Sequence, residues 1–143
     1  MIESGHIIAN HTAKHRDMSK IKCKDDFEKE LKNLEVLYKT KTGKEISKYY
    51  RPPEGKFSKE NLEWASELGY KTVFWSFAYA DWDNNRQIPS EKALKKIMDN
   101  IHNGEVLLLH PTSSTNAEIM GDLIKQLKNE GFRFGTLDEL CGA

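Results

Sequence analysis

Apolar positions along the chain switch between two periods, and the switches divide it into alternating short and long segments. "HIIA" (6–9) is a short apolar run of strand length. "DDFEKELKNLEVLYKTKTG" then places Phe27, Leu31, Leu34 and Tyr38 at spacings of three and four, which predicts a helix with one buried face. Asp25 followed by Glu28 has the form of a capping box, and Gly43 supplies a stop. "SKYY" predicts a short strand running into the proline-rich turn "RPPEG". "FSKENLEWASELG" predicts a helix with Ser58 as cap, Phe57 and Leu62 as a hydrophobic staple, and Gly69 at its end. "YKTVFWSF" (70–77) is β-branched and aromatic, hence strand.

"SEKALKKIMDNIHNG" (90–104) predicts a helix burying Leu94, Ile97, Met98 and Ile101. "EVLLLH" (105–110) reads as a strand buried on both faces. "TNAEIMGDLIKQLKNEG" predicts a helix opened by a Thr115–Glu118 capping box, and "FRFGTL" (132–137) a final strand. Strands and helices thus alternate from end to end, as in an α/β protein with a mainly parallel sheet. Chemistry in such folds lies at the C-terminal ends of the strands. His11, Arg51, Asp81 and His110 each follow one of the first four predicted strands.

Length and composition narrow the class. The 143 residues fit one domain, and 22 basic against 22 acidic residues leave no excess charge for phosphate neutralisation, which argues against nucleic acid as partner. The two cysteines, Cys23 and Cys141, form no CxxC motif, and nothing supports a disulfide between them. No apolar run is long enough to span a membrane, and no signal peptide is visible.

Taken singly, the polar motifs are weak. His11 and His15, four apart, could share one ion on a helical turn, or be two surface histidines. Arg51 in "YRPPEG" could hold a carboxylate, but an ordinary surface turn explains it as well. Asp81 beside Trp82 in "AYADWDNN" could orient a histidine against an indole wall, or belong to a solvated loop. His110 ends the most apolar strand, either as a core residue or as a group offered to the active-site face. Trp64 and Trp75 suit core or sheet packing; His6 and His102 suit surface or structural roles.

Together these motifs resemble the polysaccharide deacetylase (NodB-homology) family of carbohydrate esterases. "HTAKH" is similar to its His-Ser/Thr-x-x-His metal motif, "RPPEG" to Arg-x-Pro, "DW" to Asp-Trp and "LLLH" to Leu-x-His, in the family's order and across nearly the whole chain. "GHIIANHT", "FWSFAYADWD" and "TLDEL" are similar to the branch that de-N-acetylates muramic acid in peptidoglycan during spore-cortex δ-lactam formation. The resemblance implies a hydrolase acting on an N-acetylated glycan. His11 and His15 would bind a divalent metal, usually zinc; His110 would be the general acid, oriented by Asp81 with Trp82 beside it. Arg51 would hold the catalytic base, and the backbone N–H near Glu54 would help bind the oxyanion. Glu54 stands where many relatives carry Tyr, so no side-chain contact carries over there. The family works mostly outside the cytoplasm, on cell wall.

One element of the pattern has no counterpart. The family opens with a Thr-Phe-Asp-Asp motif that provides the base and the third metal ligand, and no such motif occurs in residues 1–143. The expected fold is therefore a partial or distorted (β/α) barrel lacking its first two strand–helix units. Residues 1–143 would form the C-terminal part of a deacetylase domain, with "MIESG" as the last turn of a helix and Met1 an internal residue taken as a start, or the gene truncated. From this follow weak zinc binding, impaired activity and self-association through exposed sheet edges. The alternative is a non-catalytic carbohydrate-binding relative that kept the groove and lost the chemistry.

Overall fold

A computed structural model describes residues 1–142. The elements in order are α1 (Lys24–Thr42), β1 (Tyr49–Tyr50), α2 (Lys59–Glu67), β2 (Lys71–Thr72), β3 (Phe77–Ala78), α3 (Ser90–Met98), β4 (Leu107–Leu108), α4 (Ser114–Asn129) and α5 (Leu137–Leu140), with single 3-10 turns at Ile2–Ser4, Met18–Lys20 and Pro53–Gly55. Two compact units divide the chain, residues 1–74 and residues 75 onward.

In the first unit β1 and β2 pair in parallel, Tyr49 opposite Lys71 and Tyr50 opposite Thr72. A parallel bridge joins Asn10 to Tyr50. The core gathers Met18, Phe27, Leu31, Tyr50, Ala65 and Tyr70, with Trp64 and Leu68 packed against it. Phe27 meets both Tyr50 and Trp64 edge-on, each with ring centres 5.8 Å apart, the arrangement that ring quadrupoles favour. Helix α1 follows its predicted face only in part: Phe27 and Leu31 are buried, while Leu34 and Tyr38 are half-buried. Its start also differs. Cys23 is the N-cap and makes no side-chain cap bond, so the Asp25–Glu28 box does not form; Asp26 pairs with Lys29 instead. Gly43 ends the helix at φ 71°, a conformation that costs a residue without Cβ nothing. Ser58 caps α2 as expected, its side chain accepting from the Asn61 N–H. Phe57 stacks edge-on against Phe74.

In the second unit β3 and β4 pair in parallel, Phe77 opposite Leu107 and Ala78 opposite Leu108. Ala93 and Ile97 of α3 meet Ile119, Leu123 and Leu127 of α4 to form a separate core with Tyr79. Helix α3 stops at Met98, short of the predicted 104, and the stretch 99–104 forms turns. The cap of α4 is Ser113 and not Thr115, because the Thr115 hydroxyl is taken up by the Ile88 carbonyl at 2.9 Å. A capping box forms instead at Thr136 and Glu139, opening α5.

Several predicted strands shrink or vanish. The run 70–77 splits into β2 and β3, one in each unit. Residues 6–9 and 132–136 have no ladder partner among the described residues, so apolar content there does not become sheet. The two residues of β4 are half-buried, not covered on both faces. Pairing is parallel throughout the described sheets, as strand–helix alternation requires. Cys23 and Cys141 are free and exposed. No described helix is long and apolar enough to cross a membrane.

Candidate active site

The residues singled out in the sequence fall into two sets, one in each unit. In the first, the bridge at Asn10 delivers the chain into the "HTAKH" loop. Asn10 N–H donates to the Tyr49 carbonyl at 2.8 Å and Arg51 N–H to the Asn10 carbonyl at 2.9 Å. The loop is not helical. Thr12 and His15 adopt φ 67° and φ 51°, and a bend at 13–14 carries the chain between the histidines. The left-handed conformation costs a β-branched residue about 1–2 kcal/mol. Side-chain bonds offset it: Thr12 N–H donates to Asn10 Oδ1 at 2.9 Å, and His15 N–H to Thr12 Oγ1 at 3.0 Å. The third non-glycine residue at positive φ among those described is Glu54, φ 56°, in the 3-10 turn of "RPPEG". All three lie inside two of the four motifs, and strain of this kind persists only where surrounding contacts hold it.

The two imidazoles meet edge-on with ring centres 4.9 Å apart. His11 Nδ1 lies 2.6 Å from the Arg51 carbonyl oxygen. A carbonyl only accepts, so Nδ1 carries the proton and Nε2 keeps its lone pair. That is the tautomer of a metal-ligating histidine held by a backbone acceptor. With zinc–nitrogen bonds of about 2.0–2.1 Å, two imidazoles on one tetrahedral ion hold their ring centres about 5 Å apart. The pair therefore fits two positions on one ion. No group of three or more His, Cys, Asp or Glu residues suited to a metal occurs among the described residues.

Arg51 is half-buried, and desolvation lowers the pKa of its guanidinium. Pro52 and Pro53, which follow it, are fully buried. Glu54 points to solvent and pairs with Lys56 at 2.9 Å.

In the second unit Asp81 is 1% exposed and takes three N–H bonds. Its Oδ2 accepts from the His110 backbone at 2.7 Å and from Asn116 Nδ2 at 2.6 Å; its Oδ1 faces His110 Nδ1 at 2.6 Å. Burial alone would raise the Asp81 pKa. The donors from His110 and Asn116 outweigh it and hold the carboxyl below its usual value. Facing a carboxylate, Nδ1 of His110 carries a proton, which leaves Nε2 as the chemically available nitrogen. The His110 side chain is 30% exposed. Trp82, 61% exposed, walls one side of it with ring centres 6.3 Å apart at 72°.

Sequence reasoning missed the residues behind these groups. Asn116 and Ser113 are buried polar side chains at the start of α4; Asn10 is fully buried beside His11. Asn10 Nδ2 reaches both the Leu31 carbonyl and the Tyr70 hydroxyl at 3.0 Å. Glu30, 4% exposed, lies on the apolar face of α1, and its backbone carbonyl takes the Ala13 N–H. Its position between Phe27 and Leu31 was the available signal.

The first unit carries a strained histidine loop on a parallel bridge and the second a buried aspartate paired with a histidine at the end of a parallel strand; comparison with known proteins identifies the family of this α/β chain. The polysaccharide deacetylase family matches residues 1–73, and the chain belongs to that family. It is 41% identical over 141 residues to the peptidoglycan-N-acetylmuramic acid deacetylase PdaA of Bacillus subtilis, covering 98% of this chain and 53% of that protein. The solved structure of PdaA, a family 4 carbohydrate esterase, superposes with a TM-score of 0.92 at 39% identity over 99% of this chain and 60% of that one. A family 4 pseudoenzyme from Bacillus anthracis, 24% identical over 97% of this chain and 47% of that one, has the same fold at a TM-score of 0.84. The chain spans about half the length of the curated relatives it matches. The mixed α/β fold is that of the carbohydrate esterases.

Proposed function

We propose that this chain is part of a metal-dependent peptidoglycan N-deacetylase that removes acetyl groups from an N-acetylated glycan. The observation that carries this reading is the Asp81–His110 pair: a buried carboxylate held by three N–H donors, fixing one histidine nitrogen and leaving the other for proton transfer. Asp81 holds the Nδ1 proton of His110 and orients the ring, so that Nε2 is the nitrogen that would pass a proton to the departing amine. Trp82 keeps one face of that imidazole apolar. His11 and His15 would hold the ion, His11 through Nε2. A bound divalent ion, zinc by the donor type, would polarise the acetamide carbonyl and acidify a water. Arg51, half desolvated, would hold a carboxylate base, although no residue of this chain is assigned that role. The backbone near Glu54, already turned into the left-handed region, would direct an N–H to the developing oxyanion.

The assay is acetate release from peptidoglycan by the full chain with zinc, against His110→Ala. Release that disappears in the variant supports the enzyme. Release unaffected by the variant removes His110 from the mechanism.

A second reading is a non-catalytic glycan-binding relative. It is favoured by the absence of a third metal ligand among the described residues and by the pseudoenzyme fold match. Retention of the chain on insoluble peptidoglycan without acetate release selects it.

Segments 6–9 and 132–136, which join no ladder among the described residues, support a partial (β/α) barrel, with residues 1–143 as the C-terminal part of a deacetylase domain. The backbone groups there that have no partner within the chain need water or another chain. Self-association follows, and light scattering that returns a monomer at all concentrations rejects it.

A further inference from the structure

We propose that Asn116 is a positioning residue that locks the Asp81 carboxylate and thereby fixes the proton-bearing nitrogen of His110. The inference rests on the deacetylase reading only for its effect on turnover; the geometry stands without it. Asn116 is 3% exposed, in the first turn of α4. Its Nδ2 lies 2.6 Å from Asp81 Oδ2 and 3.1 Å from the His110 carbonyl. Both partners are pure acceptors, so chemistry alone assigns the nitrogen to that side of the amide. The Tyr79 hydroxyl donates to Oδ1 from the other side, which prevents the amide from turning over. Asn116 therefore grips the carboxylate and the backbone of its histidine partner with one group.

The consequence for Asp81 is geometric. Oδ1 serves the imidazole, while Oδ2 is held by two donors, the His110 N–H and the Asn116 amide. Removing the amide leaves Oδ2 with the His110 N–H alone and the His110 carbonyl with the Ser113 N–H alone, takes the Asn116 acceptor from the Tyr79 hydroxyl, and loosens the carboxylate. The helix does not require this side chain. Its start is capped by Ser113 Oγ, which accepts the Asn116 backbone N–H at 3.1 Å and donates to Gln87 Oε1 at 2.5 Å. Gln87 Nε2 in turn holds the Asp81 and Asp83 carbonyls at 3.1 and 2.8 Å, fixing the loop backbone independently of the carboxylate. The main chain at 81–83 and the orientation of the carboxylate are thus held by different residues, Gln87 the first and Asn116 the second.

The test is nitrogen NMR of the histidine side chains in the full chain without added metal. The His110 Nδ1 proton should give a resolved, slowly exchanging signal, with Nδ1 as the protonated nitrogen in the neutral ring. Asn116→Leu, close in volume, should speed its exchange at least about ten-fold, the scale of one hydrogen bond to a charged group, and mix the tautomers. Should that variant not fold, Tyr79→Phe removes only the hydroxyl that orients the amide and should move the same signal in the same direction. Leu127→Ala, a core truncation in the same unit, should lower the melting temperature and leave the signal in place. An Nδ1 proton unchanged in both Asn116→Leu and Tyr79→Phe overturns the proposal, as does equal loss of the signal in Leu127→Ala. On peptidoglycan, Asn116→Leu should lower kcat about ten-fold with KM little changed. A wild-type chain without acetate release, in which the NMR effect persists, rejects the deacetylase reading and keeps the positioning role.

Discussion

Replacing Asp81 by Asn should destabilise the second unit by about 1–3 kcal/mol at neutral pH, the cost of leaving a buried donor without its acceptor. Asp81 accepts from three N–H groups with essentially no solvent on its side chain. Asn is nearly the same size, so no cavity opens. Its NH2 must nevertheless face a donor on one side, either His110 or Asn116, and each resulting unsatisfied buried donor costs about 1–3 kcal/mol. The effect has a signature in pH. The folded-state pKa of Asp81 is depressed, so the stability it contributes is present above the unfolded value of about 3.9 and is lost as pH falls through the folded value. Urea unfolding, followed through NMR signals of residues beyond 75, should show a large difference between Asp81→Asn and wild type at pH 7. That difference should narrow steadily below about pH 4. A difference that stays constant down to pH 2, or none at pH 7, would refute the account of Asp81 as a charge held by its donors.

Zinc titration by calorimetry should give an affinity well short of a three-ligand catalytic site, and either His11→Ala or His15→Ala should abolish measurable binding. Ile97→Ala, at a fully buried position, should cost about 2–5 kcal/mol in the second unit alone, measured by urea unfolding. Ser58→Ala should cost the first unit about 1 kcal/mol through the lost α2 cap. Glu54→Asn should raise the melting temperature of the first unit slightly, because Asn tolerates positive φ better and the Glu54–Lys56 pair is exposed.

Helices were more legible than strands because their period is local. Phe27 and Leu31 identify the buried side of α1, and Ser58 the start of α2, from neighbours a few residues away. A strand needs a partner from elsewhere in the chain. "HIIA" and "FRFGTL" carry strand composition, yet neither acquires a ladder among the described residues. At the candidate site, chemistry-bearing types were visible because a His after a short apolar run is unusual in itself. Asn116 and Asn10 were not, since an amide in a polar helix start or strand end looks like solvated surface until burial is known. The left-handed backbone at Thr12, His15 and Glu54 was equally hidden, because none is Gly, the residue that announces such a conformation.

The bond from His11 Nδ1 to the Arg51 carbonyl has a consequence for how this loop can vary. A carbonyl oxygen belongs to every amino acid, so no codon change at position 51 deletes the acceptor. What a mutation can alter is the tilt of that peptide plane, and the two prolines that follow restrict it by fixing their own φ and confining Arg51 to extended backbone. Ring orientation at His11 is therefore robust to the side chain of Arg51 and fragile to the loss of Pro52. A mutational scan scored on His11 tautomer should be nearly silent at 51 and loud at 52, inverting the ranking that side-chain chemistry alone would give.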